Sequence, residues 1–349
     1  MSWQEIDLIR VARQLVRVHL GVRAGEQVLV VADPQTEMRM AMALAGAVAA
    51  EGAEYTIAVM PTRDQRNGTR LTAVIDRGLE AADVLIGLTK SSGAPTYSET
   101  VARLLRERRL RSLSMVMRSV DNWTQGAATA DYESLDAMGR RVAARWAQAE
   151  RLEVRSAAGT DLRARVSKEP VMGQVVIVEC GIAREPGVEA AFSDGEVSQR
   201  PRPGSAEGTL IVDGPIAMLG PGGPIRVDVR GGKVVAVEPA DPTGAARSAR
   251  LNRLLESVPG LDHVAEIGLG LNPAALRNDD FEEEKKAEGN VHVALGDDIF
   301  YGGTNRCSLH LDMVIRDVTF LLDGEPLVVD GRLREAALSS PGDGQGGAA

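Results

Sequence analysis

The chain has 349 residues, 44% of them hydrophobic, so it can bury a sizeable core, and its length suggests about two domains. Its 49 acidic and 40 basic residues give a net charge of −9, which argues against a nucleic-acid-binding surface, because such surfaces need clustered Lys and Arg. No segment reaches the roughly 18 consecutive apolar residues of a membrane span, and charges interrupt the N-terminus too often for a secretory signal. Two cysteines without a metal-binding spacing favour a reducing, cytoplasmic setting.

The first half of the chain alternates helical patterns with short apolar runs. Residues 3–18 have the apolar spacing of an amphipathic helix. The segments QVLVVAD, EYTIAVM, ADVLIGLT and SLSMVMR are predicted strands, with helices between them and a longer helix over residues 131–149. This alternation indicates βαβ units, so we predict a Rossmann-like α/β domain with a doubly wound parallel sheet over residues 1–150.

A nucleotide is nevertheless not expected in this first domain. The dinucleotide fingerprint requires glycines directly after the first strand, where their backbone approaches the pyrophosphate. Here QVLVVAD is followed by PQTEMRM, which contains no glycine, and the chain has no Walker-type phosphate loop.

The second half has the pattern of β-rich structure. RLEVRS-AAGT-DLRARV and PIRVDV-RGG-KVVAVE each read as a hairpin, and a strong helical pattern returns only in RSARLNRLLESV. We predict a β-rich α+β metal-binding catalytic domain over residues 151–332. The glycine-rich end, residues 333–349, is predicted to be a disordered tail.

Candidate metal ligands concentrate in this second half. In SLHLDM, His310 and Asp312 are two residues apart, so on a strand both side chains leave the same face. An imidazole beside a carboxylate forms half of a divalent-metal site. His292 in VHVALG and Glu266 in AEIGLG lie in two further apolar segments, whereas the nearby acidic run FEEEKK reads as a solvated helix or loop.

These motifs, in order, resemble the metallo-aminopeptidase T family. The resemblance rests on EIGLGLNP, GNVHVALG and HLD, and extends to DGEVSQRPRPGSAEG and AGTDL upstream. It implies a two-metal hydrolase with zinc, cobalt or manganese that cleaves an N-terminal peptide or amino-acyl amide bond, and it implies a homodimer. The metal ligands implied by the resemblance are Glu196, Glu266, His292, His310 and Asp312.

The same resemblance suggests roles for individual residues. Glu266 would bridge the two ions and take the proton of the attacking water. The tyrosine of the family falls near Ile299 in this chain, so Tyr301 is the candidate for stabilising the tetrahedral intermediate. Arg306 is a candidate substrate-binding residue, and Leu311 stands where the family has tryptophan.

Two alternatives remain open. The superfamily also contains 2,5-dihydroxypyridine 5,6-dioxygenases, which hold one ferrous ion and cleave a ring with O₂. His310 and Asp312 fit that site, with His263 or His292 as the other histidine, although on a strand His263 would point away from Glu266. The second alternative is a metal-free scaffold or binding protein that has kept the fold.

Overall fold

The computed structural model describes residues 3–63, 70–92, 94–115 and 119–338. Its α-helices are α1 Trp3–Gln14, α2 Met38–Ala50, α3 Ala73–Gly78, α4 Glu99–Arg106, α5 Val120–Thr124, α6 Tyr132–Gln148, α7 Ala245–Ser257 and α8 Phe281–Glu284. Its first nine strands are β1 Gln27–Ala32, β2 Glu54–Val59, β3 Val84–Gly87, β4 Arg111–Ser114, β5 Arg151–Arg155, β6 Asp161–Arg165, β7 Ile177–Glu179, β8 Glu189–Ala191 and β9 Glu196–Gln199. The others are β10 Glu207–Val212, β11 Ile225–Arg230, β12 Lys233–Pro239, β13 Val264–Gly270, β14 Val291–Gly296, β15 His310–Ile315, β16 Thr319–Leu322, β17 Glu325–Val329 and β18 Arg332–Leu333.

The chain divides into two compact units by its internal contacts. Unit 1 comprises Met1–Asp136 and Glu179–Asp194, and unit 2 comprises Ala137–Val178 and Gly195–Ala349. The domain boundary predicted near residue 150 stays a prediction. The contacts assign Glu179–Asp194, which follows residue 150 in the chain, to unit 1, because β8 in this segment pairs in parallel with β4.

Unit 1 contains the predicted parallel sheet, with strand order β2-β1-β3-β4-β8. Its strands are the apolar runs seen in the sequence, and β1 and β3 are buried along almost their whole length. At the carboxyl end of β1, the Asp33 carboxylate accepts backbone N–H groups of residues 90–92 at 2.6 to 3.0 Å. A carboxylate therefore lies where dinucleotide-binding folds carry their glycine-rich turn.

Unit 2 is β-rich, as predicted, and contains two antiparallel sheets. The larger sheet has the order β12-β11-β10-β6-β5-β16-β17-β18, and both predicted hairpins, β5–β6 and β11–β12, belong to it. The smaller sheet has the order β15-β14-β13-β9-β7. The mixed fold class predicted from the sequence is therefore confirmed.

The predicted disordered tail is only partly covered by the described residues. Arg332–Leu333 pair with β17, and Glu335–Leu338 form a short 3₁₀-helix, so the tail's first residues are ordered. Residues 339–349 lie outside the described residues. Among the helices of the described ranges, none is long and apolar enough to cross a membrane.

Candidate metal centre

One face of the smaller sheet carries all five predicted metal ligands. Glu196 lies on β9, Glu266 on β13, His292 on β14, and His310 and Asp312 on β15. The register brings the strands' polar positions together: Gly268 is opposite His292, and Asp312 is opposite Ala294, which in turn is opposite Glu266. Because side chains alternate between faces every second residue, His310 and Asp312 share this face, as the sequence spacing predicts.

Two glycines of the EIGLG segment make room on this face. A Cβ atom on Gly268 would lie 2.1 Å from Cε1 of His292, so only glycine lets the imidazole lie across β13. A Cβ atom on Gly270 would lie 2.3 Å from the carbonyl oxygen of Ala287, so this glycine admits the backbone that leads into β14. The pattern E-x-G-x-G therefore combines a candidate metal ligand with two positions that have no room for a side chain, because His292 and the backbone of Ala287 lie against the two glycines.

The ligand side chains form an alternating row of carboxylates and imidazoles. Nδ1 of His292 lies 3.5 Å from Oε2 of Glu196, and its Nε2 donates to Oε1 of Glu266 at 3.0 Å. The other oxygen of Glu266, Oε2, accepts from Nε2 of His310 at 2.8 Å. The same Nε2 lies 3.2 Å from Oδ1 of Asp312. Glu266 therefore uses one oxygen for each imidazole and is the centre of the row.

Burial and charge shift the proton affinities of these groups in opposite directions. Burial by itself would raise the pKa of Glu266, but the two imidazoles outweigh it and hold that pKa well below its usual range. Burial would lower the pKa of His310, but hydrogen bonds to Asp312 and Glu266 raise it to about 11. The pKa of Asp312 is lowered, because Lys285 and His310 outweigh its burial. The arrangement therefore holds anionic carboxylates and attracts cations.

Two lysines at the ends of the row were missed by the sequence analysis. Nζ of Lys286 donates to Oε1 of Glu196 at 2.6 Å, and Nζ of Lys285 donates to Oδ2 of Asp312 at 3.2 Å. Both follow α8, in the acidic run that the sequence analysis predicted to be solvated.

That prediction is wrong for most of the run, because three of its charged residues are buried with partners. Glu283 accepts the backbone N–H of Leu276, Glu284 pairs with Arg316, and Lys286 pairs with Glu196. The available signal in the sequence was that this run ends shortly before the GNVHVALG segment, which carries His292.

The donor set is well suited to a divalent metal. One oxygen of Glu266, one ring nitrogen of His310 and one oxygen of Asp312 lie within 4.8 Å of one another, and a second such group joins Glu196, Glu266 and His292. His310 is also oriented for binding: its Nδ1 donates to the carbonyl oxygen of Asp297 at 2.7 Å, which leaves Nε2 to carry the lone pair in the neutral ring. Carboxylate oxygens and imidazole nitrogens can coordinate divalent iron, manganese, cobalt or zinc. The residues therefore fit a metal ion.

The other candidate residues lie at different distances from this row. Tyr301 is buried, its ring stacks beside that of His310 with centroids 6.3 Å apart, and its hydroxyl shares a hydrogen bond of 2.9 Å with Ser198. Arg306 is exposed and makes no hydrogen bond or ion pair with the described residues. His263 lies 3.0 Å from Asp298 and belongs to neither donor group found among the described residues. Tyr301 thus lies beside His310, and His263 lies outside both donor groups, while the substrate-binding role of Arg306 stays a prediction.

Comparisons with known proteins place the chain in a family. A family model described as 2,5-dihydroxypyridine 5,6-dioxygenase matches residues 8–335. The 2,5-dihydroxypyridine 5,6-dioxygenase of Pseudomonas putida strain KT2440 is 29% identical to the chain over 198 residues, which cover 53% of this chain and 54% of that protein. The chain therefore matches about half the length of this curated relative.

Two solved structures share the fold. The 2,5-dihydroxypyridine dioxygenase from Pseudomonas putida KT2440 has a TM-score of 0.77 at 20% identity, over 95% of this chain and 97% of that one. AmpT from Thermus thermophilus has a TM-score of 0.63 at 16% identity, over 94% and 99% of the two chains. The aminopeptidase resemblance is thus supported at the level of fold, while the family match names the alternative drawn from the sequence. The chain belongs to the 2,5-dihydroxypyridine 5,6-dioxygenase family.

Proposed function

We propose that the protein is a metal-dependent dioxygenase that opens the ring of a dihydroxylated nitrogen heterocycle of the 2,5-dihydroxypyridine class. The family match and the curated relative support the reaction class. The substrate class is taken from the name of that relative. The metal would be a single divalent ion, with ferrous iron as the ion suited to O₂ chemistry.

The observation that carries this proposal is the open side of the triad formed by Glu266, His310 and Asp312. Both carboxylates are buried, whereas the His310 side chain is 34% exposed. A mononuclear oxygenase site needs three protein donors on one side and open positions on the other for substrate and O₂. This triad departs from the usual pair of histidines and one carboxylate by having one histidine and two carboxylates.

The residues around the triad hold its donors in place. His292 hydrogen-bonds one oxygen of Glu266, which leaves the other oxygen directed at His310. Lys285 binds one oxygen of Asp312 in the same way, and the Asp297 carbonyl fixes the His310 ring. Preorganised donors of this kind raise affinity because little ordering is needed when the ion binds.

The chemistry requires few further groups from the protein. When bound, a ferrous ion supplies the redox-active centre at which a spin-forbidden reaction between O₂ and an aromatic substrate becomes accessible. Both atoms of O₂ enter the product as one ring bond breaks, so the substrate supplies the electrons and no other reductant is required. The Tyr301 ring forms a flat wall beside His310 against which a planar substrate could lie.

A second candidate function is a two-metal aminopeptidase-type hydrolase. The observation that favours it is the second donor group of Glu196, Glu266 and His292, which shares Glu266 with the first. In that case zinc, cobalt or manganese would acidify a water, Glu266 would accept its proton, and the substrate would be a peptide or amino-acyl amide. The homodimer expected from the same resemblance stays a prediction, which sedimentation of the purified protein tests.

One experiment separates the two functions. Protein prepared without oxygen is loaded with ferrous iron or with zinc, and each form is given 2,5-dihydroxypyridine and an amino-acyl nitroanilide. We expect oxygen uptake with the iron form and the dihydroxypyridine, and loss of that uptake in Asp312→Asn. Nitroanilide cleavage by the zinc form without any oxygen uptake by the iron form would overturn the proposal in favour of the hydrolase.

A further inference from the structure

We propose that the Lys286 ammonium prevents a second metal ion from binding at the donor group of Glu196, Glu266 and His292, so that the centre holds one metal ion. The inference rests on the proposed metal centre and deepens it, because it concerns how many ions the row can hold. It assigns a specificity role to a residue whose sequence context indicates only a solvated lysine.

The second site is complete in its donors. Glu196, Glu266 and His292 each offer a ligand atom within 4.8 Å of the others, and all three side chains are buried. This is the donor chemistry of a divalent site. Each donor group has one carboxylate paired with a lysine, but the contact is closer in the second group: Nζ of Lys286 lies 2.6 Å from Oε1 of Glu196, whereas Nζ of Lys285 lies 3.2 Å from Oδ2 of Asp312.

The Lys286 ammonium is closely held by that carboxylate. Nζ lies 2.6 Å from Oε1 of Glu196, and the two residues are 5% and 2% exposed. A charge-assisted hydrogen bond this short between buried groups is strong, because neither partner has water as an alternative. A second metal ion would have to share Glu196 with this ammonium and would be repelled by it.

The position of Lys286 is also fixed by its backbone. The carbonyl oxygen of Lys286 accepts the N–H of Asn272 at 2.9 Å, and its own N–H donates to Glu283. Gly270 allows this close approach, since a Cβ there would lie 2.8 Å from the carbonyl carbon of Lys286. The lysine is therefore held beside Glu196 by the fold and does not reach it from a flexible loop.

The charge of the whole row agrees with one ion. Three carboxylates face two ammonium groups, which leaves one excess negative charge when both imidazoles are neutral. One divalent ion and one anionic substrate bring this buried cluster close to neutrality. Two divalent ions would leave a large uncompensated positive charge in a low-dielectric environment, which is unfavourable.

The test compares metal stoichiometry in three proteins: the wild type, Lys286→Met, and Glu196→Gln/Lys286→Met. Each is stripped of metal and titrated with manganese and with zinc, by calorimetry and by metal analysis after dialysis. We expect about one ion for the wild type, about two for Lys286→Met, and about one for the double variant, which lacks the freed carboxylate. Only Lys286→Met should gain a second metal-dependent rise in its unfolding temperature.

Two outcomes would overturn the inference: two ions in the wild type, or one ion in Lys286→Met. If Lys286→Met does not fold, Glu196→Gln decides alone. Its stoichiometry should equal that of the wild type if Glu196 holds no metal, and should fall by one ion if it does. Oxygen uptake is measured separately, so one ion without oxygen uptake would contradict the proposed function and leave this inference standing.

Discussion

Oε2 of Glu266 and Nε2 of His310 lie 2.8 Å apart. These are the same two atoms through which the residues would bind a metal ion. In the metal-free protein a proton occupies this contact, because the neighbouring carboxylates raise the pKa of His310 to about 11. Proton and metal therefore compete for one position. Several measurable consequences depend on this competition and on the residues that arrange it.

Metal binding should release a proton from His310. At neutral pH the ring is protonated without metal, and it must give up its Nε2 proton to become a ligand. Metal affinity should thus rise by up to about tenfold for each pH unit between about pH 6 and pH 8. Calorimetry in two buffers of different ionisation enthalpy measures the proton count, and an affinity independent of pH would contradict the role of His310.

Replacing Glu266 with Gln should remove the metal. The variant keeps the shape of the side chain but loses the anion between two imidazoles, and we expect metal affinity to fall by more than about 100-fold, beyond the effect of losing an outer hydrogen bond. Metal content after dialysis measures this. Glu238→Gln, which changes an exposed glutamate on β12, is the matched control and should retain the ion. Full metal content in Glu266→Gln would show that the row is not the metal centre.

Gly268→Ala should disturb the site through His292. The added methyl would lie 2.1 Å from the imidazole, so the ring must move, and we expect a loss of about 1 to 3 kcal/mol in unfolding free energy together with weaker metal binding. The control is Gly46→Ala in α2, where a Cβ meets nothing within 4 Å and the helix should be slightly stabilised. Denaturant unfolding of both variants provides the comparison, and equal stability would exclude the steric account.

Tyr301→Phe tests whether the hydroxyl acts in the reaction. The ring would still pack beside His310, so metal content should be unchanged, while we expect kcat to fall by about tenfold or more if the hydroxyl contacts the substrate. Ser198→Ala removes the other half of the same hydrogen bond and should lower kcat less. An equal loss in both variants would instead make the hydroxyl a structural group.

His19 should make the stability of the protein depend on pH in mild acid. The ring is fully buried and donates from Nδ1 to the Gly181 carbonyl at 2.6 Å, and burial lowers its pKa to about 4. In the unfolded chain the His19 ring takes up a proton at about pH 6.5, but in the folded chain it does so only near pH 4. The free energy of unfolding should therefore be at its maximum above about pH 6.5 and should decrease by about 3 kcal/mol as the pH falls towards 4.

The His19→Gln variant provides the comparison for this pH dependence. Urea unfolding of wild type and variant at pH 7 and pH 5 should give a flatter profile for the variant. An unchanged slope would mean that other groups cause the acid sensitivity. A histidine at the end of the first helical segment would be expected to cap that helix or to face solvent, but the His19 ring is fully buried.

The sequence by itself determined those features that depend on local periodicity. Strands alternating with helices predicted the parallel sheet of unit 1, and Gly-containing turns between alternating strands predicted the two hairpins of unit 2. The two-residue spacing of His310 and Asp312 placed both on one face of β15, because strand side chains alternate whatever the rest of the fold does. The full set of five ligand positions was implied by the resemblance to the aminopeptidase T family and not by local periodicity.

Only the tertiary structure decided which of these positions meet and what charge they carry together. Glu196 and Glu266 are 70 residues apart and lie in one row only because β9 pairs with β13, a non-local choice that no local pattern specifies. Lys286 looked like a solvated residue, and its burial followed from the backbone that Gly270 admits beside the sheet. The cost of burying a charge depends on its partner, and the pairing of Glu196 with Lys286 was visible only in the folded chain.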